Sequence, residues 1–396
     1  MKKYHGFIII IITLTIFFAG CGKKTQDEID MPQNTNSTNT SNDVDNPPSL
    51  TDSVNSSDES SETILPVIDH ETDLPPIAGM SRSRITNEWV NAEIASTRPI
   101  AMIIPNSKTA SQFGLSRASV LYECNVEGSM TRLMGIWDDW SDMDKIGNIR
   151  STRDYFVYWS NEWDAIFIHY GGPFYADDIL NNNDTQNIDC LRHNNASYRA
   201  NAKNTTDNAF TSTDMILRSI DYYRYPLTYR DNTASKSHFS FAEPGKPNSL
   251  TQYSNAINAS TIDMSSTYPV TNCYFKFNRE TGLYERFQHL SGETDGPHLD
   301  MMNGEQLTFK NVIIQNTYYE QRDQQGYLAF RCHDTSRSGW FFTNGKGIPI
   351  TWEKINDEPT RYYDNSGNPI ELNTGKTMIL IIQDGDSFIV DGKKTS

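Results

Sequence analysis

Apolar positions fall into three regimes along this chain. From Phe7 to Phe18 they form an almost unbroken run, preceded by Lys2 and Lys3 and followed by Ala19-Gly20-Cys21. A positive start, an apolar stretch and small residues at a cleavage point are the layout of a secretory signal. A cysteine directly after "FAG" is the pattern of a bacterial lipoprotein, whose thiol is acylated and becomes the new N-terminus. The run is shorter than the roughly 20 residues a spanning helix needs, which disfavours an uncut anchor. From Thr25 to Asp73 the pattern vanishes into Asn, Ser, Thr, Asp and Pro. Such a segment buries too little surface to offset its ordering entropy, so residues 22–78 are expected to be a disordered tether. Flexible-chain scaling gives it a mean span of about 35 to 45 Å, enough to hold a domain clear of a membrane.

Periodic patterning begins near Gly79. "RPIAMIIPN", "VLYE", "MTRLMGIW" and "DAIFIH" are short apolar runs of the kind buried strands show. Between them, Tyr155, Phe156, Trp159 and Trp163 recur at helical spacing. Ser151 is the expected N-cap of that helix, with Asp154 three residues later approximating a capping box. Residues 79–238 therefore read as an α/β (α+β) domain with a mixed sheet. The polar stretch from Asp177 to Arg230, with one helix at "STDMILRSIDYY", is expected to fold over the sheet edge. From about Phe239 the cadence changes. "NCYFKFNRETGLYERF" reads as a hairpin around Glu280-Thr281-Gly282. "LTFKNVIIQNTYY", "GWFFTNGKGIPITWEK" and "KTMILIIQDG" continue at strand spacing, so residues 239–396 read as a β-rich sandwich- or barrel-like domain.

Charge changes the picture little. The chain carries a formal −16, but twelve Asp or Glu and no Lys or Arg lie between Thr25 and Ser81, so the folded part is only mildly acidic. A nucleic-acid partner has no electrostatic support. Cys124, Cys190, Cys273 and Cys332 form no CxxC pair and read as free buried thiols rather than a disulfide framework or zinc site.

The segments "RPIAMIIPN", "FGLSRASVLYECNVEGSMTRLMGIW", "KIGNIRSTRDYF", "DAIFIHYGG", "LTFKNVIIQ" and "GNPIELNTGKTMILII" resemble, in this order, the YerB-like family of bacterial lipoproteins. The likeness runs from Arg98 to the C-terminus. It implies a lipid-anchored extracytoplasmic protein with N- and C-terminal domains of unknown function, and no established reaction. Two positions depart from it: Asp207 stands before Asn208 where such proteins tend to have histidine, and Met378 stands where they often have tryptophan.

The candidate chemistry gathers around "KIGNIRSTRDYFVYWSNEWDAIFIHYGG". A helix start leaves unpaired N–H groups and a partial positive charge. Beside it, Arg150, Ser151 and Arg153 suit a phosphate, sulfate or carboxylate. Arg132 is expected from a neighbouring strand, and His169 ends the next one, where α/β folds place ligand contacts. Gly171 and Gly172 allow close backbone approach. Glu123 and Glu127 are expected to pair with the arginines or act as a base, with Glu127 and His169 the candidate catalytic groups. The competing reading is a buried ion-pair network that fastens strands, with His169 a satisfied core residue. Ser151, His169 and Asp154 match a serine hydrolase in residue type alone, without a G-x-S-x-G elbow. "DGPHLD" offers His298 and Asp300, with Asp295, as a weak metal pair that lacks further ligands. Trp137, Trp140, Trp159, Trp163, Tyr155 and Tyr158 read as core ahead of a glycan-stacking groove.

No cofactor is expected. The expected partners are the membrane, through the lipid on Cys21, and an anionic small molecule or envelope glycan. The leading expectation is an extracytoplasmic binding protein. An envelope hydrolase or transferase using Glu/His acid–base chemistry comes second, and a scaffold that docks a partner protein third.

Overall fold

An eleven-stranded mixed sheet runs through the molecule. The structure, a computed structural model, describes residues 74–200, 206–230, 237–290, 292–356 and 358–396. The expected signal sequence with Cys21 and the tether as far as Asp73 lie outside the described residues.

The first half supplies β1 (Ile100–Asn106), β2 (Val120–Asn125), β3 (Thr131–Trp137), α1 (Asp154–Asn161), β4 (Ile166–His169), β5 (Asn187–Asp189) and α2 (Thr213–Tyr223). The second half supplies β6 (Ile257–Asn258), β7 (Thr261–Asp263), β8 (Tyr274–Asn278), β9 (Leu283–Gln288) and β10 (Asn311–Thr317). After these come β11 (Asp334–Thr343), β12 (Lys346–Lys354), β13 (Thr377–Gln383) and β14 (Phe388–Val390). The main sheet runs β6-β12-β11-β10-β13-β2-β3-β1-β4-β5, with Arg361–Tyr363 added on β12. Parallel pairing of β13 with β2, from Thr377↔Val120 to Ile381↔Cys124, joins the two halves in one sheet across the boundary expected near Phe239.

Both faces of this sheet are covered, which is why its central strands read as continuous apolar runs. Alternation sends successive side chains to opposite faces. Ile100, Met102 and Ile104 of β1 face a core shared with Ile262, Phe275, Tyr284 and Phe388 of a second, seven-stranded sheet. Ala101 and Ile103 face the other core, with Tyr155, Phe156 and Trp159 of α1 and Trp352 of β12. This sandwich of two sheets, with few helices, is the β-rich architecture expected of the second half, sharing its larger sheet with the α/β first half. The 280s hairpin forms as expected, β8 pairing with β9 to Asn278↔Leu283. The polar stretch after Asp177 places β5 at the sheet edge. All four described cysteines are buried and unpaired.

One local expectation is corrected. α1 starts at Asp154 and ends at Asn161, and Ser151 does not cap it. The chain from Arg150 to Thr152 is occupied sideways: Arg150 N donates to Ile103 O at 2.9 Å and Thr152 N to Gly171 O at 2.9 Å. Pairing as an extended segment between β1 and the turn after β4, it cannot coil until Arg153 has passed.

Candidate functional site: an arginine crevice at the strand ends

β2 is antiparallel to β3 and β3 to β1, while β4 is parallel to β1, so β1, β2 and β4 all end on one side of the sheet. The chain leaves β1 in one direction to build β2 and β3, then crosses to the other side for β4 and β5. In open sheets of this kind the crevice beyond the strand ends, where the direction of winding changes, is where ligands bind. Glu127 follows β2, Arg132 begins β3, Arg150 to Arg153 run beside the end of β1, and His169 closes β4. Most of the expected residues are therefore brought to this end.

Their pairing is specific. Arg153 grips Glu127 through Nε to Oε1 at 2.6 Å and a second nitrogen to Oε2 at 2.5 Å. Burial works against the Glu127 carboxylate, but Arg153 outweighs it and holds its pKa below the ordinary value. Arg150 lies 3.4 Å from Asp207, which also accepts from Ser107 at 3.0 Å and Thr109 at 2.6 Å. Asp207 thus serves as a carboxylate anchor for Arg150. Arg132 is different. It is 6% exposed, its guanidinium donates to the Ser151 carbonyl, and among the described residues it has no carboxylate partner. Burial first, then the charges of Arg153 and Arg150, pull it down to about 9. Both nearby carboxylates are thus paired with other arginines, and Arg132 feels Glu127 only at second hand, with no ion pair of its own in a largely dehydrated place. An uncompensated buried cation costs several kcal/mol, on the order of what an incoming anion would relieve.

Ser151 contributes its carbonyl to Arg132 and its hydroxyl to Arg153 at 3.3 Å. His169 is buried, with Nδ1 2.9 Å from Gly171 O and Nε2 3.2 Å from the Asn187 side-chain oxygen. Among the described residues neither nitrogen meets a carboxylate: one faces a carbonyl and the other an amide oxygen. Gly171 and Gly172 let the 150–152 segment approach: a Cβ on Gly172 would sit 2.9 Å from Thr152 Cγ2. Gly171 also holds φ +66°, a left-handed backbone that favours glycine.

Glu123 is not part of the crevice. Cys124 is paired with Arg132 across β2 and β3, and Glu123 with Leu133, so Glu123 and Arg132 point to opposite faces. Glu123 faces the second sheet, where it bonds Arg286 at 2.7 Å, Thr131 at 2.7 Å and Asn106 at 3.0 Å, all of them buried. Arg286 in turn contacts His298, whose other nitrogen contacts Gln112. Burial, then the Arg286 charge, push His298 well below its ordinary pKa. Asp300 accepts from the Gly114 and Ser116 amides at 2.9 and 2.8 Å, and Asp295 from Tyr274. The weak metal pair is thus committed to protein partners, and the described residues contain no group of three or more metal-ligating side chains. Trp137, Trp140, Trp159, Trp163 and Tyr155 are core.

A hairpin from the second half, Tyr319–Gln321 with Leu328–Phe330, completes the crevice and was not anticipated. Its Arg322 bonds Asp154 at 2.8 Å and its Asp323 accepts from Tyr175 at 2.9 Å. Arg153 lies 5.0 Å from the Tyr327 ring centroid. No spacing rule links residues so far apart in sequence. Asn148 was also missed: its amide nitrogen is buried with no hydrogen-bond partner, two residues before Arg150.

The fold and its charged cluster define a mixed-sheet protein with three arginines gathered at its strand ends. Comparison with known proteins places it further. Residues 85–226 match the N-terminal domain, and residues 262–379 the C-terminal domain, of a family described as protein of unknown function (DUF3048). The chain belongs to this family. It is 25% identical to "Putative lipoprotein YerB" of Bacillus subtilis (strain 168) over 318 residues, 79% of this chain and 90% of the relative. The crystal structure of the Bacillus subtilis YerB protein superposes with a TM-score of 0.65 at 22% identity, covering 76% of this chain and 96% of that one. That likeness supports the fold.

Proposed function

We propose that this protein is a lipid-anchored extracytoplasmic receptor that binds an anionic ligand in the crevice of Arg132, Arg150 and Arg153. The supporting observation is the charge of Arg132: buried, flanked by two further arginines, and without a carboxylate of its own. A carboxylate or phosphate reaching Arg132 would supply the missing counter-charge through charge-assisted hydrogen bonds. Glu127 then acts as an internal stand-in that competes with the ligand for Arg153. Anchoring follows from the acylation pattern at Cys21 and agrees with the lipoprotein name of the relative. His169, which meets a carbonyl and an amide, gives acid–base catalysis no support.

Titration calorimetry with inorganic phosphate and with citrate tests the reading. Binding is expected to the unaltered protein, to weaken in Arg150→Ala, and to disappear in Arg132→Gln while that variant keeps its melting temperature. A ligand at 100 times its Kd should add about 2.7 kcal/mol of stability. Equal binding by Arg132→Gln would overturn the site. Release of a Cys21→Ser chain from the membrane fraction is the expected result for the anchor.

A further inference from the structure

Beside Arg153 stands a stair of aromatic rings. Tyr327 lies beside Arg153, its ring centroid 5.0 Å from the guanidinium carbon. Tyr175 meets Tyr327 edge to face at 5.7 Å, and Phe174 meets Tyr175 at 4.0 Å. Burial falls off along the series: Tyr327 and Tyr175 are half-buried, while Phe174 is 70% exposed. A large apolar ring so exposed, on a segment beginning with Pro173 and braced by its neighbour, is not filling a core. The stair is also fixed in place. Tyr175 donates to Asp323, and Arg322 both bonds Asp154 and lies over the Tyr175 ring at 4.4 Å. Three rings from two distant parts of the chain are thereby held against one another, at the rim of the charge site. The tryptophans weighed for a stacking groove are in the core, and these rings stand beside the arginines instead.

Flat ring faces held at a rim suit the C–H faces of a pyranose, while the polar edges of the sugar stay in water. A free inorganic anion has no use for them. Resting on the anion reading above, we propose that the ligand is an acidic sugar, with its carboxylate or phosphate at Arg132 and Arg153 and its ring against Tyr327, Tyr175 and Phe174. Arginine supplies the charge recognition, and the stair discriminates a sugar acid from a bare anion.

The test is calorimetry on the full chain with N-acetylmuramic acid, glucose 6-phosphate, N-acetylglucosamine and inorganic phosphate. The carboxylate and phosphate sugars separate the two sources of charge, and the neutral sugar and bare anion separate charge from ring. At least one acidic sugar should bind tenfold or more tightly than phosphate, and neutral sugar should not bind measurably. Phe174→Ala alters an exposed ring and is expected to fold normally. Together with Tyr327→Ala it should weaken the acidic sugar about tenfold, equivalent to about 1.4 kcal/mol, and leave phosphate unchanged. If phosphate and sugar acids bind alike and both variants are silent, the sugar assignment fails while the anion site stands. If Arg132→Gln leaves every ligand bound, or none binds at all, both readings fall.

Discussion

Arg132 and Arg286 are both buried arginines within one sandwich, yet they live under opposite rules. Arg286 projects from β9 into the space between the two sheets, where Glu123 meets it at 2.7 Å and both side chains are wholly enclosed. Its pKa is pulled down by burial but ends above the ordinary value because Glu123 and Cys273 dominate. Arg132 projects from β3 on the opposite face, where the charges of Arg153 and Arg150 act against its own more strongly than Glu127 acts for it. The first arrangement has its counter-charge in place, with the guanidinium Nε alone left without a hydrogen-bond partner among the described residues. The second is short of one negative charge. Buried ion pairs with satisfied partners speak to architecture, and a buried charge without one points to something that binds.

The comparison breaks most sharply on removal of each arginine. Arg286→Met leaves Glu123 buried and unpaired, and should cost about 3 to 5 kcal/mol in urea unfolding. Arg132→Met removes a charge that is already unfavourable, at the loss of its bond to Ser151. Its stability should change by less than about 1.5 kcal/mol, while anion binding is lost. A collapse of both variants would mean that the crevice is a second structural network.

Acid titration of another closed cluster comes next. Glu162 is enclosed with Lys354 at 3.5 Å, His238 at 2.8 Å and the Thr360 amide at 2.8 Å. Burial opposes its charge, but Lys354 and His238 prevail and bring it to about 2. His238 is itself lowered, burial outweighing Glu162, so it is best described as a neutral donor to a carboxylate whose counter-charge is Lys354. Glu162 therefore contributes stability that is complete above its unfolded pKa of about 4.3 and lost as pH falls toward 2. His238, lowered from about 6.5, adds loss of the same sign because the unfolded chain takes up its proton first. Unfolding free energies from urea melts should fall steadily from pH 7 to pH 3 by an amount on the order of 3 kcal/mol, and the fall should be much smaller in a Glu162→Gln, His238→Gln pair.

The smallest effect expected is at the half-open pair. Glu127→Gln frees Arg153 from its carboxylate, so phosphate affinity should rise a few-fold while stability drops by about 1 kcal/mol or less. Weaker phosphate binding in that variant would show that Glu127 positions Arg153 and does not compete for it.

Much of this protein was readable from residue order. Continuous Ile, Val, Leu and Met runs announced central strands, because a sheet covered on both faces needs apolar side chains at every position. A Gly at a positive φ marked the β8–β9 hairpin. Arg132, Arg150 and Arg153 were recognisable as a group because strand-end positions and charge are local properties. The start of α1 was misjudged for a nonlocal reason: Ile103 and Gly171 claim the backbone of residues 150–152 from outside.

Pairing across the fold settled the rest. Side chains at adjacent strand positions point opposite ways, so whether Glu123 joined the arginines rested on the register Cys124↔Arg132. The Tyr319–Phe330 hairpin reached Asp154 and Tyr175 from roughly 150 residues away, since its contacts depend on β10 lying beside β13 and β13 beside β2. Composition and period are written locally and survive in a linear reading. Partnership between charges is a matter of distance in space, and only packing the two sheets assigned Glu123 to Arg286 and left Arg132 without a carboxylate.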